Sequence, residues 1–289
     1  MAWLIACLAL GGMVGVLAPE RSAPASPARP STRRPKPPNR ADGAANPFTA
    51  GAMKSYLAGR SGTVTAALFD VSTGQTFVYH PGVTEQTASI VKVDILATLL
   101  WEAQTTPRPL TDDEEDLAAG MIEDSDNDDA STLWSEDGGS PAISHFDQLA
   151  GLSDTAPNPE GYWGETTTTA LDQVELLKRV VLPNTLLDPA SRAYELALME
   201  NVVGYERWGV SNGPTPGTTV ALKNGWLPLS GDDWQINSIG YVDGDGRDYV
   251  LAVLTTDDPT EDFGIGTIDG VSRLVWLTLN RPPPSHQPD

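Results

Sequence analysis

The chain has 289 residues, 40% hydrophobic and 20% charged, a balance that supports a sizeable buried core and excludes a wholly disordered or collagen-like chain. Acidic side chains number 39 and basic ones 18, and from residue 47 onward the count is 37 to 12, a balance that repels phosphate backbones and argues against a nucleic-acid partner. One cysteine permits no internal disulfide and the three histidines show no metal-ligand spacing, so no metal is expected; no organic cofactor is expected either.

Residues 2–18 (AWLIACLALGGMVGVLA) carry no charge and no proline. They read as the apolar core of an export signal or as a membrane anchor of marginal length, which places the protein outside the cell or in its envelope. Leu4-Ile5-Ala6-Cys7 matches a lipid-attachment pattern, but the run stays apolar well past Cys7, so a cysteine inside a signal core is the favoured reading. Residues 19–47 hold eight prolines and few large apolar side chains, the composition of an extended tether. The folded domain is expected over 48–280, with a polar tail at 281–289. Membrane contact is expected only through the N-terminal segment, and the protein is expected to be a monomer.

Within the domain, Thr63 to Tyr79 gives two β-rich runs around Ser72-Thr73-Gly74, a hairpin. Gln86 to Ala103 reads as a helix apolar on nearly all sides, and hence buried. Residues 111–136 and 166–203 carry helical patterns, the second introduced by the capping run Thr166 to Thr169. Val220 to Lys223, Gln235 to Val242 and Asp248 to Thr256 read as strands, and Leu274 to Leu279 as a closing helix. Strands at both ends with helices between them predict an α+β fold, an antiparallel sheet fed by both termini beside a helical region.

Three short patterns bear on chemistry. Ser89-Ile90-Val91-Lys92 places a hydroxyl and an amine one helical turn apart, on a shared face. A lysine in such apolar surroundings is desolvated toward its neutral form and can draw the hydroxyl proton, although a lysine snorkelling to water fits the same spacing. Ser125-Asp126-Asn127 supplies a second hydroxyl and an amide, or else a helix cap. Lys223-Asn224-Gly225 puts a cation beside a glycine at a strand end, where a substrate backbone can approach closely, or where the lysine is merely solvated.

In this order the three motifs resemble the active site of the serine β-lactamase and penicillin-binding protein superfamily, class A β-lactamases above all. The resemblance spans roughly Ala50 to Leu279. It implies a three-layer αβα architecture, a five-stranded antiparallel sheet flanked by helices, with a helical region reduced by the short stretch between Lys92 and Ser125. It also implies roles. Ser89 is the nucleophile that forms an acyl-enzyme, Lys92 its activating base, and Ser125 the proton shuttle to the departing nitrogen. Asn127 binds the substrate amide and Lys223 attracts the substrate carboxylate. The N–H groups of Ser89 and Trp226 form the oxyanion site. Substrates are small carboxylate-bearing amides, a β-lactam or a peptidoglycan stem peptide.

Asn224 stands where the family usually has Thr, and Trp226 where it mostly has a small residue. The family's Glu-x-x-Leu-Asn pattern, which supplies the deacylating carboxylate, is missing from Gly151 to Glu165. Glu160 is the candidate there, and an exposed loop acid is the competing reading. Without such a base the protein is a slowly deacylating penicillin- or peptidoglycan-binding protein, and a D,D-peptidase is the other alternative to a β-lactamase-like hydrolase.

Overall fold

The computed structural model describes residues 45–231 and 233–279. The expectations attached to the apolar segment, to most of the tether and to the tail lie outside the described residues. Pro47, assigned to the tether by composition, instead opens a 3-10 turn with Phe48, and both are buried. The first helix, α1 (Gly51–Leu57), follows directly.

Strands β1 (Thr63–Asp70) and β2 (Gln75–Tyr79) form the expected hairpin, with Asp70 paired to Gln75. Asp70 Oδ1 accepts the N–H groups of Ser72 and Thr73, and Gly74 takes φ +73°, so the turn residues satisfy the backbone locally. A two-residue strand, β3 (Glu85–Gln86), pairs with β4 (Thr167–Thr168) as a small second sheet. Between β3 and helix α2 (Val91–Thr105) lies a 3-10 turn, Ala88–Ile90. The helix read from Gln86 therefore starts five residues later, because residues 85–86 are held in ladder pairing.

Helices α3 (Asp112–Glu123) and α4 (Asn127–Glu136) replace the single helical pattern of 111–136. A capping box between Thr111 and Glu114 starts α3, and Asp126 caps α4 by accepting from Asp128 and Asp129. Helix α5 (Ser140–Ala150) went unread in the sequence, although Pro141 in its first turn is an N-terminal signal. The pattern of 166–203 resolves into α6 (Ala170–Val181), capped by Thr169, and α7 (Pro189–Glu200). Helix α2 is packed by α3, α4, α5 and α7, and Ile95, Leu96 and Leu99 are buried in that contact.

The chain returns through β5 (Thr219–Pro228), β6 (Trp234–Gly244) and β7 (Arg247–Asp258), and the described residues close with α8 (Glu261–Leu279). The main sheet is five-stranded and antiparallel throughout, in the order β2-β1-β7-β6-β5, so both ends of the domain feed it as expected. Central β1 and β7 are buried along nearly their whole length because helices cover both faces of the sheet: α6 packs on β1 and β7, while α8 packs on β6 and β7. Helix α8 is longer than its predicted last six residues. Glycines weaken its apolar pattern, yet they are contact points: at Gly270 the ring of Tyr56 from α1 lies where a Cβ would stand.

Candidate active site

The site is assembled at the edge of the sheet. Ser89 sits in the 3-10 turn ahead of α2, half-buried, and Lys92 falls in the first turn of α2. Ala88, just before the serine, has φ +47°, a left-handed conformation that costs a non-glycine residue about 1–2 kcal/mol and must be held by its surroundings. The holding groups are identifiable. Asn237 Nδ2, on β6, donates to the carbonyls of Gln86 and Thr87 at 2.8 Å each, and Thr87 N–H donates to Thr166 O at 2.8 Å. Gln235 Nε2 in turn donates to Asn237 Oδ1 and to Glu85 Oε2, fixing the amide of Asn237. Burial pushes the Glu85 carboxyl up to about 7.

Strand β5 closes in from the other side. A Cβ on Gly225 would lie 2.6 Å from Ser89 N and 2.9 Å from Ile90 N, so only glycine lets the strand reach the Ser89 turn. Lys223 lies two residues earlier in the middle of β5, and is fully buried; the solvated strand end considered from the sequence does not occur. Asn224 faces away from the hydroxyls and donates through Nδ2 to Glu206 O at 2.6 Å and Trp208 O at 3.2 Å, a structural bond to the preceding turn.

Ser125 occupies the break between α3 and α4, at φ +56°, a second strained non-glycine position. Its Oγ lies between two amines, at 2.9 Å from Lys223 Nζ and 3.3 Å from Lys92 Nζ. Lys92 Nζ also donates to Ser125 O and to Asn127 Oδ1, both at 2.7 Å. Burial, reinforced by the positive charge of Lys223, lowers the Lys92 ammonium to about 7. Burial also lowers Lys223, against which Glu206 acts. Lys92, Ser125, Asn127 and Lys223 thus form one hydrogen-bonded cluster, and Gly225 packs against the Ser89 turn beside it. Among the described residues, Ser89 Oγ is not one of the hydrogen-bond partners of Lys92.

The loop before β4 behaves differently. Glu160 is exposed, its N–H bonded to Asn158 Oδ1, and among the described residues its carboxylate makes no hydrogen bond. The group that covers Lys92 from this loop is Trp163, whose ring centroid lies 5.0 Å from Nζ and whose Nε1 donates to Ser131 Oγ. Trp226 lines the β5 side beside Trp208, ring centroids 6.3 Å apart. Sequence reasoning missed Asn237 and Glu206. Asn237 sits within a strand pattern and Glu206 in a loop, and neither carries a local signal.

An antiparallel five-stranded sheet sandwiched by helices, with a Ser-x-x-Lys turn against its edge strand, defines a β-lactamase-like member of the serine hydrolase superfamily. The beta-lactamase enzyme family model matches residues 104–279, well over half of the chain, and the protein belongs to this family. "Putative lipoprotein LppW" of Mycobacterium tuberculosis is 26% identical over 223 residues, covering 74% of this chain and 69% of its own. Among solved structures, the class A β-lactamase from Mycobacterium abscessus superposes with a TM-score of 0.67 at 22% identity, covering 79% of this chain and 98% of that one. PBP-A gives 0.68 at 21%, over 79% and 96%. At these identities the likeness fixes the fold.

Proposed function

We propose that the protein is an acyl-transfer enzyme of the cell envelope, in which Ser89 is acylated by a β-lactam or a D-alanyl peptide. The observation that carries this reading is the Ser125 hydroxyl held between two buried amines, beside a glycine packed on the Ser89 N–H. The export-type segment 2–18 and the lipoprotein name of the mycobacterial relative support an envelope location.

Neutral Lys92 accepts the proton of Ser89 Oγ as that oxygen bonds to the carbonyl carbon; a neutral amine donates two hydrogen bonds rather than three, and the longest of its three, to Ser125 Oγ, is the one to be released. The developing oxyanion is met by the N–H groups of Ser89 and Trp226. As the C–N bond breaks, Ser125 gives its proton to the departing nitrogen and is reloaded by a flanking ammonium. Asn127 and Lys223 orient the substrate amide and carboxylate.

Trp163 favours a slow second half-reaction. An indole over Lys92 brings no general base to the ester, and the carboxylate of Glu160 stays in solvent. The expected behaviour is that of a penicillin-binding protein or a poorly turning-over hydrolase. Incubation of the purified protein with a chromogenic cephalosporin, followed by absorbance and intact mass, tests this. A lasting adduct with little hydrolysis is expected, and none after Ser89→Ala; an unlabelled native protein refutes the reading.

A further inference from the structure

Glu206 was not singled out by any motif, yet its carboxylate is the counter-charge of the site. It closes the 3-10 turn Gly204–Glu206 before β5, and Oε2 lies 3.3 Å from Lys223 Nζ, with side-chain exposures of 4% and 0% for acid and amine. A buried ion pair offers little net stability, because desolvating two charges offsets their attraction. Its value here lies in what it does to the two lysines.

Lys223 Nζ has three acceptors, Ser125 Oγ at 2.9 Å, Asn224 O at 3.2 Å and Glu206 Oε2 at 3.3 Å, which is the full complement of an ammonium. The two amines share the Ser125 hydroxyl, so two positive charges at once repel across it. The charged groups set around them are Glu206, from the turn before β5, and Asp126 and Asp129, at the start of α4. Of these acids, only Glu206 is hydrogen-bonded to one of the amines, and it is bonded to Lys223.

We propose that Glu206 is a positioning residue whose carboxylate fixes Lys223 as the cation of the site and so leaves Lys92 as the amine that takes the Ser89 proton. The proposal deepens the acyl-transfer reading above and rests on it for its catalytic meaning. The same bond keeps the Lys223 ammonium aimed at Ser125 Oγ, while the proton that Lys92 took from Ser89 passes to Ser125 after the leaving nitrogen has taken one.

Glu206→Gln removes the charge and keeps the shape. The backbone bond from Asn224 Nδ2 to Glu206 O does not involve the side chain and survives the change. The chain has only five lysines, so the amines can be followed singly by NMR of Nζ-labelled full-length protein. The proposal expects Lys92 to lose its proton at lower pH than Lys223 in the native protein. In Glu206→Gln the Lys223 titration moves down by about one pH unit or more, a tenfold loss of proton affinity, and Glu206→Asp retains most of the native order. In parallel, the rate of adduct formation with a penicillin loses its alkaline limb at correspondingly lower pH in Glu206→Gln only. A Lys223 titration unchanged by Glu206→Gln overturns the proposal, and so does a uniform fall in acylation at every pH, which is the mark of a merely structural role. If the native protein takes no adduct, the acyl-transfer reading fails while the lysine titrations still decide on Glu206.

Discussion

At the scale of single residues, two facts about Lys92 govern the chemistry: it is buried, and it faces another lysine. Both lower its proton affinity, to about 7. The base form is the neutral one, so the rate of Ser89 acylation is expected to rise as pH increases through about 7, measured as adduct against time between pH 5 and 8. Lys92→Arg, which stays protonated, is expected to slow acylation at least about a hundredfold, within the range of a lost general base. Gly225→Ala addresses geometry instead of charge. Its methyl would meet the Ser89 and Ile90 N–H groups and must push the nucleophile turn off the strand, so acylation is expected to drop about tenfold or more while far-ultraviolet circular dichroism stays native. An unaffected Gly225→Ala rate means that β5 does not form part of the acylation site.

At the scale of elements, helix α2 brings buried acids into its contacts with its neighbours, where an apolar core is the rule. Asp94 on α2 and Asp147 on α5 face each other, and Glu195 on α7 lies close by; all are buried, and among the described residues none has an ion-pair partner. Burial raises all three, Asp147 to about 7, so the folded protein holds protons that the unfolded chain releases near the ordinary carboxylate range. Above about pH 4 the unfolded state therefore binds fewer protons, and the stability these acids contribute is full below that pH and is lost as pH rises through about 7. Asp94→Asn with Glu195→Gln is expected to flatten this slope and to gain about 1 kcal/mol or more over the native protein at pH 8, read from denaturant unfolding at pH 5 and 8. Equal slopes in the two proteins contradict it. These acids also show where sequence legibility ends. The β1–β2 hairpin was readable because Asp70, Gly74 and alternating β-formers act locally, and α2 because its apolar run is continuous. Its true start was not, since Glu85 and Gln86 are captured by Thr167 and Thr168, a partner some eighty residues away. The division of 111–136 depends on a left-handed Ser125, which no periodicity announces.

At the scale of the whole molecule, the motif residues were legible and their supports were not. Ser89, Lys92, Ser125 and Lys223 stand in recognisable order, whereas Asn237, Gln235 and Glu206 matter only once the sheet has brought them there. Fold and charge also set a long-range condition. From residue 47 onward there are 37 acidic and 12 basic side chains, so under the acyl-transfer proposal an anionic substrate would approach against the field of the protein and be attracted only close to Lys223, the cation of the site. Added salt screens the repulsion over about 10 Å at 0.1 M, so the second-order rate of acylation by an anionic penicillin is expected to rise severalfold between low salt and 0.2 M. A rate that falls with salt would mean that the cleft's local cations dominate beyond its mouth. The most direct measurement is the location of the acyl group itself. Brief labelling of the native protein with benzylpenicillin, digestion and tandem mass spectrometry should place the penicilloyl mass on Ser89. Its appearance on another residue, or on none, contradicts the assignment of the nucleophile.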